Sequence, residues 1–378
     1  MNITFFIGNG FDLAQGLPTR YTDFYRFLEA HGDELAKNPH LKELFDNRIL
    51  HNYKHWSDLE LALGQYTEEY RIEYSKSFRE LKSELDRTLI WYFRLVEQEY
   101  QLPVNEEKAC KFIGKIRDFY QEFEEPEQDH FRKMIMESNQ WDFRFITLNY
   151  TGYLDQFLES AKALEGKKAE RYRWNFDASM RNFTIPHKAL HVHGTIRKDN
   201  DVILGVNGPE QIAGTNLFVK DVAPYMVKTE INKVRRLGRT EETEALIDRS
   251  QYICLFGVSM GETDIYWWDK ITKWLLNDEK RRLVIYKCQP NEGPFSGPGF
   301  TAYQQNVDDC RDQFLKVGNT NHIIKSASVE SALRERIIVV LGSGIFKFDN
   351  NQKATCRKSD TRRLLSILKF GKSQKVPG

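Results

Sequence analysis

The sequence of 378 residues predicts an α/β protein with a doubly wound, mostly parallel sheet and a large all-helical insertion after the first strand. Two observations support this prediction. Short apolar segments alternate with amphipathic segments in the second half of the chain, which is typical of a parallel sheet covered on both faces. Between the first strand and that region, residues 21–137 show helical spacing and almost no strand pattern.

The first predicted strand is NITFFI, and a turn rich in glycine, GNGFDLAQGLPT, follows it directly. Glycine is costly in ordered structure unless a positive φ or a close backbone approach requires it. Ligands of open α/β sheets bind beyond the carboxyl ends of the strands, so Gly8, Gly10 and Gly16 indicate a site where backbone N–H groups face an anion or a ribose. Leu13 stands where the dinucleotide fingerprint needs a third glycine, so a plain dehydrogenase is not expected. A tight strand-to-helix turn without a ligand is the alternative interpretation of the three glycines.

Residues 21–137 are predicted to be helical. SDLE at Ser57–Glu60 has the spacing of an N-terminal capping box, so Glu60 is either a cap or a source of electrostatic support for the site. Apolar residues recur every three or four positions and define one face of a long helix. That face consists of Tyr74, Phe78, Leu81, Leu85, Leu89, Phe93 and Val96.

The strand pattern returns at FRFITLN and continues through KALHVHGTI, QYICLFG and RRLVIYKC, which closes the predicted series. The helical segments TGYLDQFLESAKAL and ETDIYWWDKITKWLL lie between these strands. Residues 1–20 and 138–345 are therefore predicted to form one α/β domain that carries the insertion at 21–137. Residues 346–378 form a basic tail, either a solvated terminus or a short amphipathic helix.

Composition narrows the class of protein. The net charge is +1, from 55 basic and 54 acidic residues, so there is no strong nucleic-acid or membrane signal. The opening residues lack the features of a signal peptide, and the run IIVVLGSGI is too short to span a bilayer. The cysteines are Cys110, Cys254, Cys288, Cys310 and Cys356, without a Cys-x-x-Cys pair. A soluble cytoplasmic protein with reduced thiols is expected.

Polar residues follow the predicted strands. Asn149 ends one of them, where its amide could orient a water or a hydroxyl, or cap the next helix. His191 and His193 are predicted to share one face of a strand, and with His187 they form a cluster. One of them is a natural general base at neutral pH. No metal is expected, because a third and a fourth ligand are not evident.

The segment FGVSMGETD fits two interpretations. Gly257 to Gly261 match the G-x-S-x-G nucleophile elbow, and a serine hydrolase would use Ser259, Asp308 and His322. Alternatively the segment is a second ligand-binding turn, in which Ser259 bonds a ribose or a phosphate.

The motifs GNGFDLAQGLPT, WSDLE, TLNYT, HVHGT and FGVSMGETD, in this order, resemble the AbiH family of bacterial phage-defence (abortive infection) proteins. More distantly they resemble the sirtuin-like, Rossmann-like NAD-binding fold. The resemblance runs from about residue 1 to residue 276. It implies that the first turn wraps the phosphates and ribose of NAD, that Asn149 positions the ribose and water, and that His193 acts as the base. The implied cofactor-binding residues are Gly8, Asn9, Gly10, Phe11, Asp12, Gly16, Pro18, His191, Gly257, Ser259 and Asp264.

The activity implied by this resemblance is hydrolysis of NAD⁺ to nicotinamide and ADP-ribose, which would deplete the infected cell of NAD⁺. The chain lacks the four-cysteine zinc module of sirtuin deacetylases, and Thr151 stands where sirtuins have an aspartate. Asp12 would place a carboxylate near the pyrophosphate or bond a ribose hydroxyl. A nucleotide sensor that binds ADP-ribose or NAD without cleavage is the alternative. Because constant cleavage would be toxic, a homo-oligomer, a partner protein of the defence system or a phage-derived trigger is expected.

Overall fold

The described residues form a seven-stranded sheet between layers of helices. The computed structural model describes residues 1–35, 59–67, 75–100, 103–138, 140–164, 182–287 and 300–348. The strands are β1 Asn2–Ile7, β2 Gln140–Thr147, β3 Asn182–Thr184, β4 Leu190–His191, β5 Tyr252–Phe256, β6 Arg282–Lys287 and β7 Ile337–Leu341.

Helices occupy most of the remaining described sequence. They are α1 Gly10–Ala14, α2 Tyr21–Leu35, α3 Leu59–Tyr66, α4 Ser75–Glu99, α5 Glu106–Arg117, α6 Glu125–Met136, α7 Tyr153–Leu164, α8 Asn216–Met226, α9 Lys228–Val234, α10 Arg239–Arg249, α11 Ile265–Leu276, α12 Phe300–Val317 and α13 Ala327–Arg334. Among the described ranges, none is both long and apolar enough to cross a bilayer.

The strand order is β3-β2-β1-β5-β6-β7, with β4 also paired to β2, and each of these pairings is parallel. The chain therefore moves outward from β1 to β2 and then returns to β5 on the other side of β1. Ile7 is level with Thr147 of β2 and with Phe256 of β5, so these three strands end together. The prediction that RRLVIYKC closes the series was wrong, because the apolar segment Ile337–Leu341 adds β7 beside β6.

Successive residues of β1 face the two helical layers. The Phe5 ring lies 5.9 Å from that of Phe119 and 5.7 Å from that of Phe346. On the opposite face, Phe6 packs 5.8 Å from Trp268 of α11. This alternation buries both faces of the strand, as a parallel sheet covered on both sides requires.

The described residues of the predicted insertion form helices and the connections between them, without a strand. The predicted apolar face of α4 is buried from Phe78 to Val96, while Tyr74 lies outside the described residues. These helices do not form a unit apart from the sheet, since Phe112 of α5 packs against Phe145 of β2. Met1–Lys347 are accordingly one compact unit.

The predicted start of the basic tail and the predicted capping box lie near the ends of described segments. Phe346 was assigned to the basic tail, but it is fully buried against Phe11 and Phe256, so the core extends past residue 345. The tail from residue 349 onward and Ser57 of the capping box lie outside the described residues. Cys288 and Cys356 also lie outside them, while Cys110, Cys254 and Cys310 are free thiols.

Candidate functional site

The turns after β1 and β5 touch through their glycines. The Gly8 N–H donates to the Phe256 carbonyl at 2.9 Å, and the Gly10 N–H donates to the Gly257 carbonyl at 2.9 Å. A Cβ on Gly10 would lie 2.3 Å from the Gly257 Cα, and Gly257 itself has a φ of +66°. The expectation that these two N–H groups face an anion is therefore corrected, because both already have backbone partners.

Three residues of the first turn that were predicted to bind a ligand lie outside the cavity described below. Phe11 is buried in the core, with its ring 5.6 Å from that of Phe157. Gly16 is exposed and follows α1 with a φ of +85°, which allows the chain to leave the helix. The Pro18 carbonyl accepts a hydrogen bond from the Tyr92 hydroxyl at 2.8 Å. All three residues have a structural role that explains their presence.

A cavity of about 690 Å³ lies at the carboxyl ends of β1, β2 and β5. Its lining draws on both glycine turns, on the segment after β2 and on the turn after β4. The predicted site residues in this lining are Gly8, Asn9, Gly10, Asp12, Asn149, His193, Gly257, Ser259 and Asp264. Sequence positions far apart thus meet at one edge of the sheet, as the carboxyl ends of parallel strands must.

Asn149 is buried in this lining with an unusual lack of partners. Neither Oδ1 nor Nδ2 has a hydrogen-bond partner of normal geometry among the described residues, although the amide lies close enough to Asp12 to act on its carboxyl. Its main chain, by contrast, is fixed: the N–H donates to the Thr147 hydroxyl at 3.1 Å. The interpretation as a helix cap is therefore not supported, and α7 begins only at Tyr153. A buried amide without partners costs about 1–3 kcal/mol, so it is the feature of the cavity that most needs a ligand or water.

Asp12 lies beside Asn149 in the same lining. Its Oδ2 accepts a hydrogen bond from the Thr151 hydroxyl at 2.6 Å, while its buried Oδ1 has no partner among the described residues. Burial raises the pKa of Asp12 to about 7, although Thr151 and the nearby Asn149 amide act to lower it. Asp12 therefore changes protonation close to neutral pH.

His193 is oriented by a buried carboxylate. Its Nε2 lies 2.9 Å from Asp264 Oδ1. Because an ionised carboxylate only accepts hydrogen bonds, Nε2 is the donor in this contact, and in the neutral imidazole Nδ1 is then the nitrogen with the lone pair. Burial opposes the charge of Asp264, but Lys228 and His193 hold the pKa of its carboxyl well below the usual range. An Asp–His pair of this kind is the arrangement that orients a general base.

Lys228 and Glu60 complete the network behind His193. Lys228 Nζ lies 2.9 Å from Asp264 Oδ1 and 2.8 Å from Glu60 Oε2. Burial lowers the pKa of Lys228, but the two carboxylates outweigh it and raise that pKa overall. Glu60 Oε1 also accepts from the Gly205 N–H at 3.2 Å, so its carboxylate serves this network. Lys228 was not predicted from the sequence. The weak indication of its role there is its position directly after the apolar pair Met226–Val227.

His191 and His193 do not share a strand face, contrary to the prediction. His191 is the last residue of β4, whereas His193 lies in the turn beyond it. His191 is outside the cavity lining, where its Nδ1 donates to the Asn149 carbonyl at 3.0 Å and its Nε2 lies 3.1 Å from Asp155 Oδ2. It therefore positions the main chain of Asn149 from behind.

The predicted serine hydrolase triad is not assembled. Ser259 lines the cavity, but Asp308 lies 3.3 Å from Arg334 and 3.6 Å from Arg311. Within the described part of the chain, no hydrogen bond joins Ser259, Asp308 and His322. Nor do the described residues contain a group of three or more His, Cys, Asp or Glu side chains placed to hold a metal ion.

Comparison with known proteins identifies the family. The family model described as "Bacteriophage abortive infection AbiH" matches residues 4–286, a range that includes most of β1 and β6, all of β2 to β5 and the whole cavity lining. No curated protein and no solved structure gives a significant match. Since the family model covers more than half of the sequence, the chain belongs to the AbiH family of bacteriophage abortive infection proteins.

Proposed function

We propose that this AbiH protein acts in phage defence by hydrolysing NAD⁺ to nicotinamide and ADP-ribose in the cavity at the strand ends. One observation carries the proposal: Asn149, a buried amide with two unpartnered polar atoms, lines the same cavity as His193, a histidine oriented by Asp264. The amide offers a donor and an acceptor to a water or a hydroxyl, and the imidazole offers a base.

The position and size of the cavity support a nucleotide as the ligand. The connections of β1 and β5 leave in opposite directions, and the crevice at such a reversal is where doubly wound sheets bind dinucleotides. Pockets for small molecules enclose about 300–1,000 Å³. The cavity volume of about 690 Å³ lies within that range.

The proposed reaction breaks the bond between nicotinamide and ribose through an oxocarbenium-like transition state, as in glycoside cleavage. Asn149 holds the attacking water, and His193 Nδ1 takes its proton, a role that contributes about 10²–10⁴ to the rate. Asp264 stabilises the imidazolium that forms, and Lys228 keeps Asp264 ionised. Each step uses a residue of the network described above.

The residue proposed to bind the pyrophosphate of NAD⁺ differs from the one expected from the sequence. The Gly8 and Gly10 N–H groups bond to backbone carbonyls, so they do not receive the pyrophosphate in this proposal. Arg20 lines the cavity, is exposed, and makes no ion pair with the described carboxylates. We propose that its guanidinium meets the pyrophosphate.

The test measures the release of nicotinamide from NAD⁺ by chromatography. The purified protein is assayed both alone and in lysate from phage-infected cells. The lysate arm is included because restraint by an oligomer, a partner or a phage trigger is expected. Asn149→Ala and His193→Ala should each lower release by about 10²-fold or more. His187→Ala, an exposed histidine outside the lining, should leave it unchanged.

Two results would contradict this proposal. Undiminished release from His193→Ala would remove the base from the mechanism. No release in either setting, together with a melting temperature raised by ADP-ribose, would favour the nucleotide sensor instead.

A further inference from the structure

Of the acidic residues in the described lining of the cavity, Asp12 alone has no cationic side chain within 4 Å. The paired acids in the lining and near Asp12 each lie within 4 Å of a cationic side chain. These pairs are Glu60 with Lys228, Asp264 with Lys228, and Glu97 with Arg197. Asp12 has no such partner among the described residues, and the polar side chains that act on its carboxyl at close range are neutral, namely the Thr151 hydroxyl and the Asn149 amide.

The surroundings of Asp12 do not supply the missing charge. Glu97 of α4 acts on it with like charge, and His191 of β4 acts with opposite charge from outside the cavity lining. The phenol of Tyr153, at the start of α7, also interacts with it. Burial outweighs these contributions, so the carboxyl holds its proton up to a pH of about 7. A buried carboxylate without a cation is unfavourable, and a ligand that brings a positive charge would remove that penalty.

We propose that Asp12 is the specificity-determining residue of this cavity, and that it selects a ligand group with a positive charge over the neutral equivalent. On the proposed function, that group is the pyridinium ring of an oxidised nicotinamide nucleotide, which the reduced form replaces with an uncharged dihydropyridine. Binding of the cation leaves Asp12 as a carboxylate paired with the ring, and the carboxyl proton goes to solvent. No bond of the ligand changes in this step.

Binding of two nicotinamide nucleotides by calorimetry tests the proposal. One is the carbocyclic analogue of NAD⁺, which keeps the pyridinium charge and cannot be hydrolysed, and the other is NADH. From pH 6 to pH 8.5, the Kd of the cationic analogue should fall by up to about tenfold per pH unit until about pH 7 and then level off, since one proton is released. The Kd of NADH should stay constant, and titrations at pH 6 in two buffers should show release of about one proton for the analogue alone.

Two variants assign the effect to Asp12. Asp12→Asn should abolish the pH dependence and the preference for the cation. Asp269→Asn is the matched control, because Asp269 is also buried with a raised pKa but lies on α11 outside the lining, and it should keep both. Equal affinity and equal pH dependence for the two nucleotides would overturn the proposal, as would a pH dependence that persists in Asp12→Asn or no binding of either nucleotide.

Because the analogue cannot be cleaved, these results do not depend on hydrolysis of NAD⁺, so binding can succeed where the proposed activity fails. A measurement without ligand supports the assignment. Burial raises the pKa of Asp12 from the ordinary value of 3.8 to about 7, so the folded state holds an extra proton between these values. Stability should therefore fall as pH rises from about 4 to about 7. The melting temperature of Asp12→Asn should fall less across this window than that of the unaltered protein.

Discussion

The two sides of the cavity use their polar groups in opposite ways. On the side of β1 and β5, the Gly8 and Gly10 N–H groups are bonded to the neighbouring turn. On the side of β2, the Asn149 amide is buried, and neither of its polar atoms has a hydrogen-bond partner of normal geometry in the described part of the chain. The glycines of the first motif, which is the most recognisable part of the sequence, therefore hold two turns together, whereas Asn149 at the end of β2 has no such structural bonds from its side chain to the described residues.

The largest expected loss of stability comes from a substitution in the glycine turns after β1 and β5. In Gly257→Ala the new Cβ would lie 2.5 Å from the Gly10 Cα, and the residue would keep a φ of +66°. Backbone lies against it, so we expect the free energy of unfolding to fall by about 4–5 kcal/mol or more, measured by urea denaturation. Gly16→Ala is the control, since it has a φ of +85° but no atom within 4 Å. Its cost should be about 1–2 kcal/mol, from the left-handed backbone alone.

Equal losses in these two variants would show that positive φ, rather than the contact between the turns, sets the requirement for glycine. The structural interpretation of the β1–β5 side would then fail.

A smaller loss is expected from the charge network on the other side. Lys228→Met removes the cation shared by Glu60 and Asp264 and leaves two buried carboxylates without it. Breaking a buried pair in this way costs about 3–5 kcal/mol. Lys270→Met is the matched control, because Lys270 pairs with the half-exposed Asp248 and should lose at most about 1 kcal/mol. Thermal unfolding at pH 7 measures the stability of both variants. Similar melting temperatures for Lys228→Met and Lys270→Met would mean that the network does not stabilise the fold.

Much of the fold could be predicted from the sequence because its signals are local. The apolar strands β1, β2, β5 and β6 and the periodic helix α4 were all recognised from their spacing. β4 was harder, since only Leu190–His191 pair with β2 and His193 lies in a turn set by its partners. β7 was missed because its apolar run, followed by Gly342, fits a buried strand and a short core segment equally well.

The candidate site could be predicted only in part. Asn149, His193 and Asp12 were found because polar residues that follow strands are unusual, and the structure brings them into one lining. Lys228 could not be found in this way, since its partner Glu60 is 168 residues distant and only folding brings the two together. The role of Gly8 and Gly10 likewise depends on the turn at Gly257, which follows β5 and is separated from them in the sequence by four strands.

The smallest expected change in stability compares two asparagines on opposite sides of the cavity. In Asn9→Leu, two hydrogen bonds to Thr19 are lost, one at 2.9 Å to its carbonyl and one at 2.5 Å from its hydroxyl, which should cost about 2 kcal/mol. In Asn149→Leu, no hydrogen bond of normal geometry to the described residues is lost, only the weaker contact of the amide with Asp12, and both polar atoms are replaced by carbon. The free energy of unfolding should therefore stay within about 1 kcal/mol or rise, while nicotinamide release disappears. If denaturation shows Asn149→Leu to be as destabilised as Asn9→Leu, the Asn149 amide supports the fold just as Asn9 does, and the contrast between the two sides is lost.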